Sequence, residues 1–473
     1  MNKVGMYWCF VLLTFLGVKN SYSQANYGNE IAKNNLTNSI NPLRGFFSWY
    51  NQSIVPLNGI PTESYMRFSW MQLERGEGEY DFSVIDNNLS KLEPGQRLAF
   101  GVMALNTCCG APNGIEVPNY IVQKPGKAFS TYFHGKKIFI PDWNDPYFLD
   151  RVEKLFQALG KRYNGDPRIA WVEIRMYGDW GEWHLGNLSD SYSNIIINKL
   201  YAKPATLISK ERIILAQIAP FSKTQLLMMT ADSEALLFAL RQQTNIPIGM
   251  RRDSWGSVQF ERDFFNPGTS EGDKKLILER WKMAPFIIET YGGDKSFEVG
   301  AGGIVKQVVD YHVSAIANGG FVGKIPWDTF SAEQKQALIL SGLKAGYNLK
   351  IINVDYTKSI SSKQLFSIDS KWFNSGSAPV YEKWKVQFQL LRSVRDLKPV
   401  WSGYSKINLS SIMPAINNFY QADKFILPSD LSPGNYILAI RIIDPLNYKL
   451  PMNLLNNNKL PNNAYFLGNM VIK

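Results

Sequence analysis

Eight short runs of strand character, centred near residues 43, 64, 97, 169, 225, 246, 285 and 321, alternate with helix-patterned segments along the chain. Such alternation leaves few folds open: parallel strands joined by crossover helices, either closed as a (β/α)8 TIM barrel or left as an open doubly wound sheet. The open sheet would normally carry a glycine-rich phosphate turn after its first strand, and none follows residues 41–49. A closed barrel is therefore expected over residues 24–345, with strands at 41–49, 64–70, 97–104, 169–177, 225–230, 246–253, 285–291 and 320–327. Helices are expected at 83–92, 146–163, 209–221, 233–243, 276–283, 304–317 and 331–343. The second of these starts at Asp145-Pro146, where proline suits the first turn.

Beyond about Tyr347 the pattern becomes short alternating strands split by turns such as Asn374-Ser-Gly and Ser432-Pro-Gly-Asn. Residues 346–473 therefore read as an all-β sandwich of immunoglobulin-like size. At the other end, Lys3, an uncharged run from Val4 to Val18 and Ser21-Tyr22-Ser23 have the order of a secretory signal covering residues 1–23. Its apolar run is short for a membrane span and has no counterpart later in the chain. Export to the periplasm or the medium is expected. Cleavage would remove Lys3 and Lys19 and no acid, leaving the chain two units less positive than its full-length +11. The basic residues are scattered, a surface that could favour acidic polysaccharides and shows no nucleic-acid stripe. Only Cys108 and Cys109 lie beyond the signal, as two free thiols or a strained vicinal ring.

The densest chemistry lies in residues 171–184. Trp171, Glu173, Arg175 and Tyr177 share one strand parity and Val172, Ile174 and Met176 the other, so polar groups point to one face and apolar groups to the opposite one. Gly178 and Gly181 then allow tight turning, which gathers Asp179, Glu182 and His184 near Trp180 and Trp183. Carboxyls framed by indoles suit a sugar site, because rings stack on pyranose faces and partial burial raises an acid's pKa. In a barrel the working residues sit at the carboxyl ends of strands. Those ends collect Arg44, Trp49, Arg67 and Trp70, then Asp179, Trp180, Glu182 and His184, then Asp232, Arg252, Asp253, Trp255, Glu289, Tyr291 and Trp327. The set has no metal cage, since the donors of the 179–184 turn lack recognised ligand spacing, and no cofactor is implied.

An acid after strand four, Glu289 at the end of strand seven, Trp327 after strand eight and the trailing β-sandwich together resemble the clan A glycoside hydrolases, the group that includes the β-galactosidases. The segment from Met66-Arg-Phe-Ser-Trp70 to Gly78-Glu-Tyr-Asp-Phe82 is similar to the start of such barrels. The resemblance implies Glu182 as general acid/base, Glu289 as nucleophile and retention of anomeric configuration, with the remaining mouth residues binding a carbohydrate substrate. One departure stands out. The clan has Asn directly before the strand-four glutamate, here Gly181, which leaves Asp179 as a rival for the acid. Two further readings stay open: a barrel that binds glycans without cutting them, and a sandwich that binds them through Trp372, Trp384 and Trp401.

Overall fold

The computed structural model describes residues 40–49, 62–107, 110–111, 113–124, 128–133, 136–185, 204–262, 264–266, 268–317, 327–414 and 417–473. The signal segment and Cys108–Cys109 lie outside them. Eight parallel strands close into a barrel: β1 (Gly45–Trp49), β2 (Glu63–Ser69), β3 (Arg97–Met103), β4 (Ile169–Met176), β5 (Leu226–Met229), β6 (Gly249–Trp255), β7 (Phe286–Thr290) and β8 (Ala315–Ala317). Closure is made by β1 against β8, with Gly45 opposite Ala315 and Phe47 opposite Ala317.

Strand parity sorts the side chains into two cores. Phe47, Tyr65, Ala99, Trp171, Leu227, Ile287, Ala315 and Ala317 fill the barrel interior. Phe46, Phe68, Phe100, Val172, Ile174, Met228, Met250, Ile288 and Ile316 belong to the larger outer core that the helices cover. Size alternates around the inner ring, for Trp171 pairs in register with Ala99 and Ile287 with Ala315. A large ring beside a methyl group fills the interior without a void.

Among the helices, α1 (Ser83–Leu89), α2 (Pro146–Tyr163), α3 (Leu207–Ile218), α4 (Ser233–Arg241), α5 (Glu271–Leu278), α6 (Gly300–Asp310) and α7 (Ala332–Lys344) alternate with the strands. Asp145 caps α2 by accepting the Phe148 amide at 2.9 Å, and Pro146 follows it at the first helical position. Asp232, expected at the mouth, instead caps α4 by accepting from the Ala235 amide and pairs with Lys210.

The last barrel unit departs most from the sequence expectation. The helix expected over 304–317 stops at Asp310, His312 takes a positive φ of 53°, and residues 315–317 form β8. Of the strand expected over 320–327, residues 320–326 lie outside the described residues, and Trp327 opens a 3-10 turn, Trp327–Thr329. An Ala-Ile-Ala strand carries no helix-breaking or alternating signal, so its small inward methyls read as a helix continuation. The segment expected as a helix at 276–283 is likewise the end of α5 followed by a 3-10 turn, Arg280–Lys282.

Residues after α7 form two facing sheets around a separate core. Their strands are β9 (Leu349–Tyr356), β10 (Ser359–Ile360), β11 (Leu365–Asn374), β12 (Lys385–Leu391), β13 (Trp401–Tyr404), β14 (Phe419–Ile426), β15 (Gly434–Ile443) and β16 (Tyr465–Ile472). One sheet runs β9-β11-β14 and the other β10-β16-β15-β12-β13. Trp372 and Trp384 are buried in this core, and Trp401 packs its ring on Phe366 and Phe425. The aromatic sugar-binding patch expected from these three residues is therefore not formed.

The sandwich meets the amino-terminal ends of the barrel strands. Arg97, at the start of β3, holds Glu63 of β2 at 2.8 Å and Glu382 of the sandwich at 2.5 Å. Tyr448 donates to the Gln96 carbonyl at 2.5 Å, Tyr381 to that of Trp281 at 2.6 Å and Tyr347 to that of Pro42 at 3.0 Å. The amino-terminal end of the barrel is thereby covered, and the charged side chains gather at the carboxyl ends of the strands. Glu382→Ala, which leaves the buried Arg97 with Glu63 alone, is expected to cost about 1.5–3 kcal/mol. Denaturant unfolding followed by tryptophan fluorescence reads that loss.

Candidate active site

Glu173 is the base of the site. It sits on the inward face of β4 one step beyond Trp171, fully buried, and its carboxylate accepts from the Tyr65 hydroxyl at 2.6 Å. Arg175 Nε meets it at 2.5 Å and Arg251 Nη1 at 2.9 Å. Burial alone would raise the Glu173 pKa, but the charges of Arg175 and Arg251 outweigh it and hold the carboxyl at about 2. A carboxylate between two guanidiniums here fixes both cations in place.

Those cations support a second layer nearer the mouth. Arg67 Nη1 lies 2.6 Å from Glu182 Oε1, and its Nη2 lies 3.6 Å from Glu289 Oε2. Arg175 Nη1 reaches Glu182 at 3.6 Å, while Arg251 Nη2 contacts Glu289 and Arg251 Nε lies 3.3 Å from Asp253. Trp49, at the end of β1, stacks on the Arg67 guanidinium at 4.7 Å. His184 Nε2 stands 3.3 Å from Glu182 Oε2. Burial would raise Glu182, but Arg67, then His184 and Arg175, hold it well below the usual carboxylate range. Burial opposes the charge on His184, and Glu182 outweighs it, so the imidazole is raised. Asp253 moves the other way: burial, then the Glu182 charge, push it up against the pull of Arg251.

The loop after β4 presents Glu182 by means of a strained backbone. Met176, Trp180 and Trp183 all take positive φ, at 83°, 54° and 62°, around a 3-10 turn spanning Asp179–Gly181. Asp179 is fully buried and accepts from the Thr107 amide at 3.0 Å and the Thr107 hydroxyl at 2.5 Å. Trp180 donates its amide to the Leu105 carbonyl at 3.0 Å and its indole N–H to Asn106 at 3.1 Å. Asp179 thus clamps this turn to the loop after β3. The ring of Trp180 also lies beside His184, with centroids 6.1 Å apart.

Gly181 occupies the position where the resembled family has Asn, and the backbone explains why. Its φ is +68°, and an added Cβ would lie 2.9 Å from the Arg175 Cβ and 3.1 Å from the Met176 amide nitrogen. Gly101 performs a similar service on β3, since a Cβ there would fall 2.5 Å from the Arg175 Cδ. Gly181→Asn is expected to destabilise the protein by about 1–3 kcal/mol rather than improve the site. Its thermal midpoint against the parent chain is the check.

Arg44, Arg252 and Trp255 are turned away from this cluster. Arg44 is buried before β1, donating to the Leu343 carbonyl at 3.1 Å, with its Cβ 2.3 Å from where a Gly346 Cβ would be. It belongs to the covered end, since Gly346 adjoins the sandwich. Arg252 points out of the barrel to the Phe260 and Gln259 carbonyls, each at 2.8 Å, over the Phe264 ring. Trp255 is buried with its indole N–H on the Ile304 carbonyl at 3.0 Å. Tyr291 is exposed beneath the Lys295 ammonium, and Trp327 packs on Phe330. The site instead recruits Tyr65, Glu173, Arg175 and Arg251. Counting by twos back from Asp253 selects Arg251 over Arg252, so parity was the signal for it. Among the described residues, no group of three or more His, Cys, Asp or Glu side chains is placed to hold a metal ion, and no helix is long and apolar enough to cross a membrane.

Fold and site together define a parallel (β/α)8 barrel with a carboxylate–guanidinium centre at the carboxyl ends of its strands and a β-sandwich at the other end. No protein-family model matches the sequence, and no curated protein does. Among solved structures, the chain is similar to Bacteroides uniformis β-glucuronidase 2 covalently bound to cyclophellitol-6-carboxylate aziridine, at 11% identity and a TM-score of 0.31. That match covers 92% of this chain and 46% of the glucuronidase, so the chain spans about half the length of that enzyme. The CARDB domain of the PF1109 protein from Pyrococcus furiosus, in complex with di-metal ions, is similar over 27% of this chain and 93% of its own, at 15% identity and a TM-score of 0.17. Scores this low carry no argument about chemistry.

Proposed function

We propose that the protein is an exported glycoside hydrolase that cleaves a poly- or oligosaccharide with retention of configuration, its barrel closed at the base by an immunoglobulin-like sandwich. One observation carries this reading: Glu182 and Glu289, over a hundred residues apart in sequence, meet two arms of the single Arg67 guanidinium at the carboxyl ends of the barrel strands. The Arg67 guanidinium thus gathers both carboxyls at one end of the barrel. Glu289, paired with Arg67 and Arg251, is the nucleophile of this proposal. Trp49 and Trp180 offer ring surface at the same mouth. The net charge, two units below the full-length +11 once the signal is cleaved, favours an acidic glycan.

The ion pairing of Glu182 with Arg67, Arg175 and His184 favours a second reading, a barrel that binds glycans without cutting them. Screening the purified chain against aryl glycosides and acidic polysaccharides separates the two. Release of aglycone or new reducing ends supports the hydrolase; tight glycan binding with no turnover across the panel leaves the binder.

A further inference from the structure

A glycosidase of this kind needs one carboxyl that carries a proton, and the site has four carboxyls for three guanidiniums. Glu173, Glu182 and Glu289 each contact two of Arg67, Arg175 and Arg251. Asp253 has a single guanidinium contact among these three, the 3.3 Å approach of Arg251 Nε. The remaining arms of Arg251 are taken by Glu173 and Glu289. Asp253 is also the most exposed of the four carboxyls, its side chain 26% accessible against 0%, 10% and 17% for Glu173, Glu182 and Glu289. It therefore combines the poorest cationic partner with a route to the mouth.

We infer that the transferable proton of the site resides on Asp253, at the end of β6, while Glu182 is a positioning residue that clamps Arg67. The groups that face this cluster are Tyr65 and Arg67 from β2, Glu173 and Arg175 from β4, Arg251 from β6, Glu289 from β7, and Glu182 and His184 from the loop after β4. His184, 3.3 Å from Glu182, adds to the pull of Arg67 that holds this carboxyl in its ionised form. The inference rests on the hydrolase reading for its chemical consequence. Asp253 gives its proton to the glycosidic oxygen as the anomeric C–O bond breaks, and the bonding pair leaves with that oxygen. Glu289 forms a C–O bond to the anomeric carbon. Water then attacks that carbon, Asp253 takes the water's proton, and the ester bond breaks to restore the Glu289 carboxylate.

The test has two arms on the full chain. Infrared titration of the wild-type protein with 13C-labelled aspartate, and separately with 13C-labelled glutamate, identifies which buried carboxyl loses its proton last. Displacement of that band by aspartate labelling, and its loss in Asp253→Asn but not in Glu182→Gln, is the expected result. A band that moves with glutamate labelling and vanishes in Glu182→Gln overturns the inference without reference to turnover, the buried Glu116 being told apart by its persistence in that variant. In the kinetic arm, Asp253→Asn is expected to lose about 10²–10⁴-fold in kcat/KM on a glycoside with a poor leaving group. It should lose far less on a dinitrophenyl glycoside, which departs without a proton, and the alkaline limb of the pH profile should disappear. Glu182→Gln should lose equally on both substrates. If Glu182→Gln instead shows the leaving-group dependence, Asp253 is not the donor. A wild type that turns over no glycoside, with the last band still assigned to Asp253, removes the hydrolase reading and leaves the proton where it is placed here.

Discussion

Glu289→Gln is expected to lower kcat by about 10⁴-fold or more while leaving glycan affinity near that of the parent. The amide keeps the shape of the side chain and removes both the nucleophilic oxygen and the charge. Its position explains the selectivity of the effect. Glu289 ends β7, where Phe286-Ile-Ile is buried, and contacts Arg251 and Arg67 while only partly open to the mouth. Arg251 keeps Glu173 and Asp253 as partners when Glu289 is neutralised, so the barrel should remain folded. Isothermal titration with a slowly cleaved glycan, set beside single-turnover kinetics, separates lost chemistry from lost binding. The stereochemistry adds a second check. Glu289→Ala supplied with azide should yield a glycosyl azide of inverted configuration, because the small anion enters from the face the carboxylate has vacated. Wild-type turnover in Glu289→Gln would end the two-carboxylate proposal.

The parts of this architecture that were readable in the sequence are those where period and position coincide. The alternation Trp171, Glu173, Arg175 against Val172, Ile174, Met176 placed the polar face of β4 inside the barrel, and the coordinates put Glu173 and Arg175 there. Seven of the eight barrel strands lie where runs of branched and aromatic residues marked them, and the eighth was displaced because Ala315-Ile-Ala317 has the texture of a helix. Arginines were harder to sort. Arg44, Arg67 and Arg252 look alike in a chain of letters, yet Arg44 lies at the covered end, Arg252 on the outer face and Arg67 in the mouth. The distinction is a matter of which strand end and which parity a residue occupies, and a boundary error of one residue reverses the second. Asp179 was obscured for a different reason. Its carboxylate binds the Thr107 amide, a contact across 72 positions that no local pattern announces. The absence of Asn before Glu182 was visible from the start. Only the positive φ of Gly181 and the nearness of Arg175 turn that absence into a consequence of the turn.

The largest stability effect is expected at Glu173. Replacing it with Gln leaves Arg175 and Arg251 buried, 0% accessible, with their shared carboxylate gone. Arg175 keeps Glu182, and Arg251 keeps Glu289 and Asp253, so the loss is expected at about 3 kcal/mol, the low end of the cost of removing one partner from a buried ion cluster. The pH dependence should have the same origin. The neighbouring guanidiniums hold the Glu173 carboxyl at about 2 in the folded protein, below its ordinary 4.5, so folding favours the ionised form. Its contribution is complete above the unfolded value and is lost as pH falls from 4.5 towards about 2. A shift of that size corresponds to about 3 kcal/mol, the same order as the cost of the mutation. Denaturant midpoints measured across this acid range should therefore fall for the parent and flatten for Glu173→Gln. The double variant Glu173→Gln, Arg175→Met should recover part of the loss, because it withdraws one of the stranded cations along with the anion. It should not recover turnover, since Arg175 also reaches Glu182 in the layer above. Equal stability of parent and Glu173→Gln at neutral pH would mean that water or a rearranged neighbour replaces the carboxylate, and the two-layer support described for the mouth would no longer hold.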